Sequence, residues 1–153
     1  MRADGFTEEM WKKWAADPVN INVEMNARSS ASLLATDKEG NRHYQYHFSF
    51  PMPLGDRALI TTYYDYGKDE DGWRTFLDST FLDEKIAEGR REEIGTDVEA
   101  FMTMNMAQSR PYDDGMEFRF VSKFDMRGLL PLFIKKMISR KMSNWGFLIV
   151  DYL

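Results

Sequence analysis

Two stretches of strict alternation between apolar and polar residues constrain the fold more than any other feature of this sequence. In the first, the aromatic residues Tyr44, Tyr46, Phe48 and Phe50 alternate with His43, Gln45, His47 and Ser49. In the second, Met116, Phe118, Phe120, Ser122 and Phe124 alternate with Glu117, Arg119, Val121 and Lys123. Successive side chains of a strand point to opposite faces, so the alternation predicts strands with one buried and one solvated face. We expect the two histidines on the solvated face.

Turn-forming residues divide the neighbouring sequence into further strands. Strands are predicted at Ala31–Ala35, Arg57–Tyr66, Trp73–Phe81 and Val98–Ala107. Turns rich in Asp and Gly, at residues 37–40, 67–72 and 113–115, separate the hairpins. Hairpin connections of this kind predict an antiparallel sheet throughout. Residues 82–95 are highly charged, and their sequence assigns them to neither a strand nor a helix.

The apolar period changes from two to about 3.6 at Leu130, which predicts a C-terminal helix. Its apolar stripe contains Leu130, Ile134, Met137, Ile138, Met142 and Trp145. About 20 residues would give a helix of about 30 Å. A shorter helix that contains Trp11 and Trp14 is predicted near the N-terminus, and Thr7 can cap it. We expect this helix to act as a lid. The chain of 153 residues is therefore expected to be a single α+β domain.

Charge and composition exclude several classes of protein. The net charge of −5 argues against a nucleic-acid partner, because such binding depends on clustered Lys and Arg. Residues 123–143 are an exception, since they carry six basic residues and one acid. The chain has no cysteine, no apolar run long enough to cross a bilayer and a polar start unlike a signal peptide. A cytoplasmic location is expected.

The motifs that usually accompany catalysis are missing from the sequence. It has two histidines, no G-x-S-x-G and no glycine-rich nucleotide motif. Acidic pairs such as Asp113-Asp114 lie beside glycine, where turn geometry accounts for them. We therefore expect no catalytic residue, no metal site and no cofactor.

Large apolar side chains are unusually abundant, with 11 Phe, 7 Tyr, 4 Trp and 11 Met. The alternating residues Met102, Met104 and Met106 are expected to share one face of the sheet, opposite the aromatic strands. Methionine is flexible enough to fill a core or to line a cavity that adapts to an acyl chain. The surplus suggests that the chain surrounds an apolar molecule, with core filling as the alternative.

Two motifs resemble those of START (StAR-related lipid transfer) domains. The residues from Asp125 to Pro131, DMRGLLP, resemble the D-x-K-G-x-L-P signature that precedes the last helix of that family. Pro51, Pro53 and Arg57 resemble its P-x-P…R-D-F-V strand, with Ala58 in place of the usual Asp. The resemblance covers about residues 7–150. It implies a helix-grip fold, in which a curved antiparallel sheet wraps around a long C-terminal helix, and it makes residues 1–153 one START-like domain without the family's N-terminal part.

The resemblance also implies that the chain binds a lipid and transfers it between membranes without being an enzyme. The expected lipid-binding residues are Tyr44, Tyr46, Phe48, Thr61, Tyr63, Met102, Met104, Met106, Phe118, Phe120, Leu130, Ile134 and Met137. The expected contacts with an anionic membrane are Lys135, Lys136, Arg140 and Lys141. Tyr44 and Tyr63 occupy the places where sterol-binding members commonly carry a buried acid and a buried Arg. An acyl lipid such as a phospholipid is therefore expected rather than a sterol.

Two other functions remain open from the sequence. One is an enzyme of the wider helix-grip superfamily, similar to a polyketide cyclase, that acts on an apolar or aromatic substrate. Asp65 and the cavity Tyr and Thr hydroxyls would then supply the chemistry. The other is a protein-interaction domain that uses the sheet as its binding surface.

Overall fold

In the described part of the chain, hydrogen bonds join eight strands into one sheet. The computed structural model describes residues 2–16, 29–50, 55–80, 94, 98–128 and 130–143. The strands are β1 (Arg2–Asp4), β2 (Ser29–Thr36), β3 (Arg42–Phe48), β4 (Arg57–Lys68), β5 (Arg74–Ser79), β6 (Val98–Glu99), β7 (Phe101–Tyr112) and β8 (Gly115–Asp125), and the helices are α1 (Glu8–Ala16) and α2 (Leu132–Ser143). The sheet order is β1-β8-β7-β5-β4-β3-β2, with β6 beside β4. The predicted α+β class and helix-grip architecture are confirmed.

One predicted strand is in fact two. Residues 98–107 were expected to form one antiparallel strand, but β6 pairs in parallel with the start of β4, through Arg57 and Ala58. After the buried Ala100, β7 begins and pairs antiparallel with β5 and β8. The prediction of an entirely antiparallel sheet is wrong at β6, because the described pairing of β5 with β4 begins at Thr62 and leaves the start of β4 open to a short parallel strand.

The predicted turns and the first helix cap have clear local causes. Asp37 accepts hydrogen bonds from the backbone N–H groups of Glu39 and Asn41, at 2.8 and 2.9 Å, and closes the β2–β3 hairpin. The Thr7 hydroxyl accepts the N–H of Met10 at 3.2 Å and caps α1, as predicted. A Cβ on Gly115 would lie 2.3 Å from the Ala3 carbonyl oxygen, so glycine permits the close pairing of β1 with β8.

Both faces of the sheet carry buried residues. The inner face carries the main core, which includes Tyr44, Tyr46, Leu59, Tyr63, Phe76, Met102 and Phe118. A smaller cluster of Ala58, Ile60 and Ile94, with Leu34 beside it, lies on the outer face. His43 is 0% exposed on this outer face, and its Nδ1 lies 2.9 Å from the Thr62 hydroxyl. The expectation that His43 is solvated is therefore wrong.

Helix α1 packs on the inner face, and helix α2 lies beside the end of β8. Helix α1 places Trp11 against Phe76 and Phe118, with ring centroids 5.8 and 4.9 Å apart, and stacks Trp14 on Trp11. It covers part of the sheet, as the predicted lid would. Helix α2 follows β8 and spans 12 residues, while Trp145 of the predicted helix lies outside the described residues. No helix among the described residues is long and apolar enough to cross a membrane.

Candidate functional site

Strand register brings most of the predicted lipid-binding residues of the sheet to the inner face. Tyr44 is opposite Thr61, and Tyr46 is opposite Leu59, so the β3 and β4 side chains share that face. The members of the predicted set on the inner face are Tyr44, Tyr46, Phe48, Thr61, Tyr63, Met102, Phe118 and Phe120. Tyr46 stacks on Phe48, and Phe118 stacks on Phe120. Six of these eight residues are aromatic.

A β-bulge divides the predicted methionine stripe. Met102 is opposite Phe124 and is buried in the core, but the register shifts before Met104. Met104 is opposite Lys123 and Met106 is opposite Val121, so both lie on the outer face. The expectation that the three methionines share a face is wrong, because a bulge inserts one residue and reverses the alternation that follows it. Asn105 takes the inner position instead.

A row of polar side chains crosses the aromatic inner face. Cross-strand partners continue from Arg42 through Tyr63, Asp78 and Asn105 to Ser122, over strands β3, β4, β5, β7 and β8. The Ser122 hydroxyl donates a hydrogen bond to the Asn105 side-chain oxygen. Partners on neighbouring strands lie within reach of each other, so the row provides a path of polar groups through an apolar surface.

Asp78 is the one buried carboxyl that we find in this row. It is 4% exposed, and its Oδ2 accepts a hydrogen bond from the Tyr46 hydroxyl at 3.1 Å. Burial raises the pKa of Asp78 to about 6, although the Thr61 and Tyr46 hydroxyls lower it in part. Burial also raises the pKa of Tyr63, whose hydroxyl has no hydrogen-bond partner among the described residues. Sequence analysis missed Asp78, although its position two residues after Phe76 places both on one face.

A pocket with a volume of about 520 Å³ lies between the end of β8 and helix α2. Its apolar lining comes from Phe120, Phe124, Met126 and Leu130. Ser122, the last residue of the polar row, also lines it, together with Lys135 and Ser139 of the helix. Among the predicted lipid-binding residues, Phe120 and Leu130 line this pocket. Lys123, Asp125 and Arg127 line it as well, so its wall combines four large apolar side chains with polar and charged groups. Its size is typical of ligand sites.

The two motifs of the sequence meet at the entrance to α2. Arg57 of β4 is 2% exposed, and its guanidinium donates hydrogen bonds to the carbonyl oxygens of Met126 and Arg127, at 3.2 and 3.3 Å, and to that of Gly55. Gly128 has a positive φ of 70°, and a Cβ there would lie 3.1 Å from an Arg57 nitrogen. Arg57 therefore fixes the linker between β8 and α2, although sequence analysis gave it no role.

The buried and exposed residues of helix α2 match the predicted apolar stripe only in part. Leu130 and Ile134 are buried, as predicted. Met137 was expected in the buried stripe but is 57% exposed, because it lies on the side of the helix opposite Lys135 and Ser139, which line the pocket. Leu132 and Phe133, in the first turn, are each 68% exposed. The helix thus presents apolar side chains on its outer surface.

The four cations predicted to face a membrane have different surroundings. Lys136 and Arg140 are exposed, whereas Lys135 is exposed and also lines the pocket. The side chain of Lys141 lies outside the described part of the chain.

Asp65, which would supply part of the chemistry if the protein were an enzyme, is held in an ion pair. Its carboxylate contacts the Arg74 guanidinium at 2.5 Å. Burial tends to raise the pKa of Asp65, but hydrogen bonds from Arg74 and the Gly67 N–H outweigh it, so the pKa is lowered. A lowered pKa does not suit proton transfer near neutral pH. Within the described ranges, no three His, Cys, Asp or Glu side chains are placed to hold a metal ion.

Comparisons with known proteins bear on the fold. No protein-family model and no curated protein matches the sequence. The human StarD13 (DLC2) lipid transfer and protein localization domain superposes with a TM-score of 0.72 at 12% identity, over 99% of this chain and 73% of that one. Human STARD10 and human StAR-related lipid transfer protein 5 each give 0.73 at 13% identity, over 99% of this chain and 60% and 71% of theirs.

These similarities agree with the architecture described above. The chain spans between 60% and 73% of the length of the three structures, so they contain segments that have no counterpart here. The sheet and both helices lie within the 99% of the chain that superposes. The predicted resemblance is confirmed: the chain has the helix-grip fold of START domains.

Proposed function

We propose that this protein binds one acyl lipid and transfers it between membranes, without catalysing a reaction. The observation that carries the proposal is the pocket between β8 and α2, whose wall combines Phe120, Phe124, Met126 and Leu130 with Ser122. Two of the structures with the same fold are named for lipid transfer, which supports the same function here. In this proposal residues 1–153 act as one lipid-binding domain in the cytoplasm.

The energetics of an acyl chain favour binding by apolar contact alone. Burying one methylene group contributes about 0.8 kcal/mol, so a long acyl chain contributes on the order of 10 kcal/mol before the losses of association. Because the losses of association are several kcal/mol, the burial of the acyl chain still leaves a net favourable free energy of binding. Binding therefore requires an apolar wall and a way in, and it requires no reactive group.

Helix α2 supplies the contact with a membrane in this proposal. Leu132, Phe133 and Met137 are exposed apolar side chains on the same helix as the exposed cations Lys136 and Arg140. A helix that combines exposed apolar and basic residues can lie in the interface of an anionic membrane. Because the pocket opens beside this helix, docking there would place a bound lipid next to the bilayer.

Native mass spectrometry after gentle purification tests lipid binding directly. We expect a copurified lipid, and we expect the ligand-free protein to bind a fluorescent acyl lipid. Phe120→Glu should abolish that binding, because it places a carboxylate in the apolar pocket at a cost of several kcal/mol. The matched control is Val121→Glu, which adds the same charge at the next residue on the exposed outer face. Equal losses in both variants would reject the pocket as the binding site.

A further inference from the structure

The buried carboxyl of Asp78 has an unused hydrogen-bonding atom. Its Oδ2 accepts from Tyr46, but its Oδ1 is buried and makes no hydrogen bond of normal geometry among the described residues. The Thr61 hydroxyl, which helps to lower the Asp78 pKa, is buried beside it and likewise makes no such hydrogen bond. The groups that lower its pKa are the neutral hydroxyls of Thr61 and Tyr46. A buried acceptor without a donor is destabilising, so a group that donates to Oδ1 would be bound favourably.

The position of Asp78 connects it with the pocket. Asp78 is opposite Asn105, and Asn105 is opposite Ser122, which lines the pocket wall. Neighbouring strands are about 4.8 Å apart, so Asp78 lies about 10 Å from Ser122 along the inner face. That distance is short compared with an extended lipid. A lipid with its chain against Phe120 and Phe124 is therefore long enough for its polar end to reach Asp78.

The groups around Asp78 determine which kind of polar lipid end can bind beside its carboxyl. The carboxyl is flanked by Tyr63 and Asn105, and Tyr46 already satisfies one oxygen. The pKa of about 6 leaves most of the carboxyl ionised at neutral pH. A phosphate or carboxylate at this place would be repelled, whereas a hydroxyl or an amine would donate to Oδ1.

We propose that Asp78 binds the polar end of the lipid, and that this end is a neutral or cationic hydrogen-bond donor, a hydroxyl or an amine. This inference rests on the proposed lipid binding and narrows the lipid class. Among acyl lipids it favours those that end in a free hydroxyl or amine over those that end in an anion. Asp78 is then a specificity-determining residue that the sequence motifs do not include.

Four probes with the same hexadecyl chain test this inference. They are hexadecylamine, hexadecanol, hexadecyl methyl ether and palmitate, and their affinities are compared by displacement of Nile red at neutral pH. The wild-type protein should bind the amine and the alcohol at least tenfold more tightly than palmitate or the ether. In Asp78→Asn and Asp78→Leu that preference should fall to within about threefold. The control Ser109→Ala removes another buried inner-face hydroxyl and should keep the wild-type ranking.

The outcomes separate this inference from the proposed function. If the wild-type protein binds all probes and both Asp78 variants keep its ranking, Asp78 does not contact the ligand, while lipid binding itself stands. If the wild-type protein binds none of the four probes, the proposed function and this inference both fail. A circular dichroism spectrum of each variant identifies any that does not fold, and the two substitutions at Asp78 provide independent tests.

Discussion

Replacing Asp78 by Asn should make the ligand-free protein more stable at neutral pH. The native carboxyl is buried, and the neutral hydroxyls of Tyr46 and Thr61 stabilise its charge in part. An Asn side chain has nearly the same shape, and its oxygen can still accept the Tyr46 hydrogen bond. The substitution therefore removes a buried charge and leaves the surrounding packing in place.

The magnitude follows from the pKa of Asp78. Folding raises this pKa from 3.8 to about 6, which corresponds to about 3 kcal/mol of destabilisation once the group is ionised in both states. A raised carboxyl pKa means that the native state binds the proton more tightly. The destabilisation is absent below about pH 4, develops as pH rises to about 6 and is complete above that. The Asn amide also needs partners, so we expect a net gain of about 1–3 kcal/mol.

Thermal and urea unfolding of delipidated protein from acid to neutral pH measure this effect. The melting temperature should rise by about 2–4 °C for each kcal/mol, and the two curves should converge toward pH 4. Asp65→Asn is the control of opposite sign, because the Arg74 ion pair lowers the pKa of Asp65 and stabilises the fold above that pKa. A variant Asp78→Asn that is less stable than wild type by the same amount at every pH would refute the reasoning.

Two further predictions concern the linker and the outer surface of α2. Arg57→Lys should lower the free energy of unfolding by about 2 kcal/mol, because one ammonium group cannot replace a fork of hydrogen bonds to the linker carbonyls. It should also speed lipid uptake and release in stopped-flow experiments, and unchanged rates would show that the linker does not control access. Lys136→Gln combined with Arg140→Gln should weaken binding to anionic vesicles by about 2 kcal/mol at low salt, with intact lipid binding. Cosedimentation that is equal for both proteins at every salt concentration would contradict membrane docking through α2.

Local sequence patterns predicted the parts of the fold that depend on local chemistry. The alternation at Tyr44, Tyr46 and Phe48 correctly assigned them to one face, and Asp37 and Thr7 act in their turn and cap as expected. Strand β1 was missed, because three residues are too few to show a period. The burial of His43 was also missed, since it depends on what covers the outer face and not on the alternation within β3.

The candidate site was predicted less completely, for reasons that involve distant residues. A period of two assumes an uninterrupted strand, and the bulge after Met102 moves Met104 and Met106 to the outer face. Asp78 looked like an ordinary polar residue, because one strand alone does not reveal which neighbours it will meet. The contact of Arg57 with the linker joins residues about 70 positions apart, and it becomes visible with the tertiary structure.

The energetics of α2 suggest why a membrane would control the pocket. Among the described side chains, Leu130 and Ile134 are buried against the sheet, which contributes roughly 3–6 kcal/mol to holding the start of the helix. Leu132 and Phe133, each 68% exposed, present a comparable apolar surface to the outside. In the proposed function, nothing in water offsets the loss of the buried contacts, so the helix is expected to stay closed over the pocket. At a bilayer, burial of the exposed pair can offset a large part of that loss, because the hydrocarbon region accepts apolar side chains as the core does. Because Arg57 holds the linker in place, the helix is expected to move about that linker. Lipid exchange is expected to be fastest at a bilayer, where contacts with the membrane compete with the buried contacts of the helix.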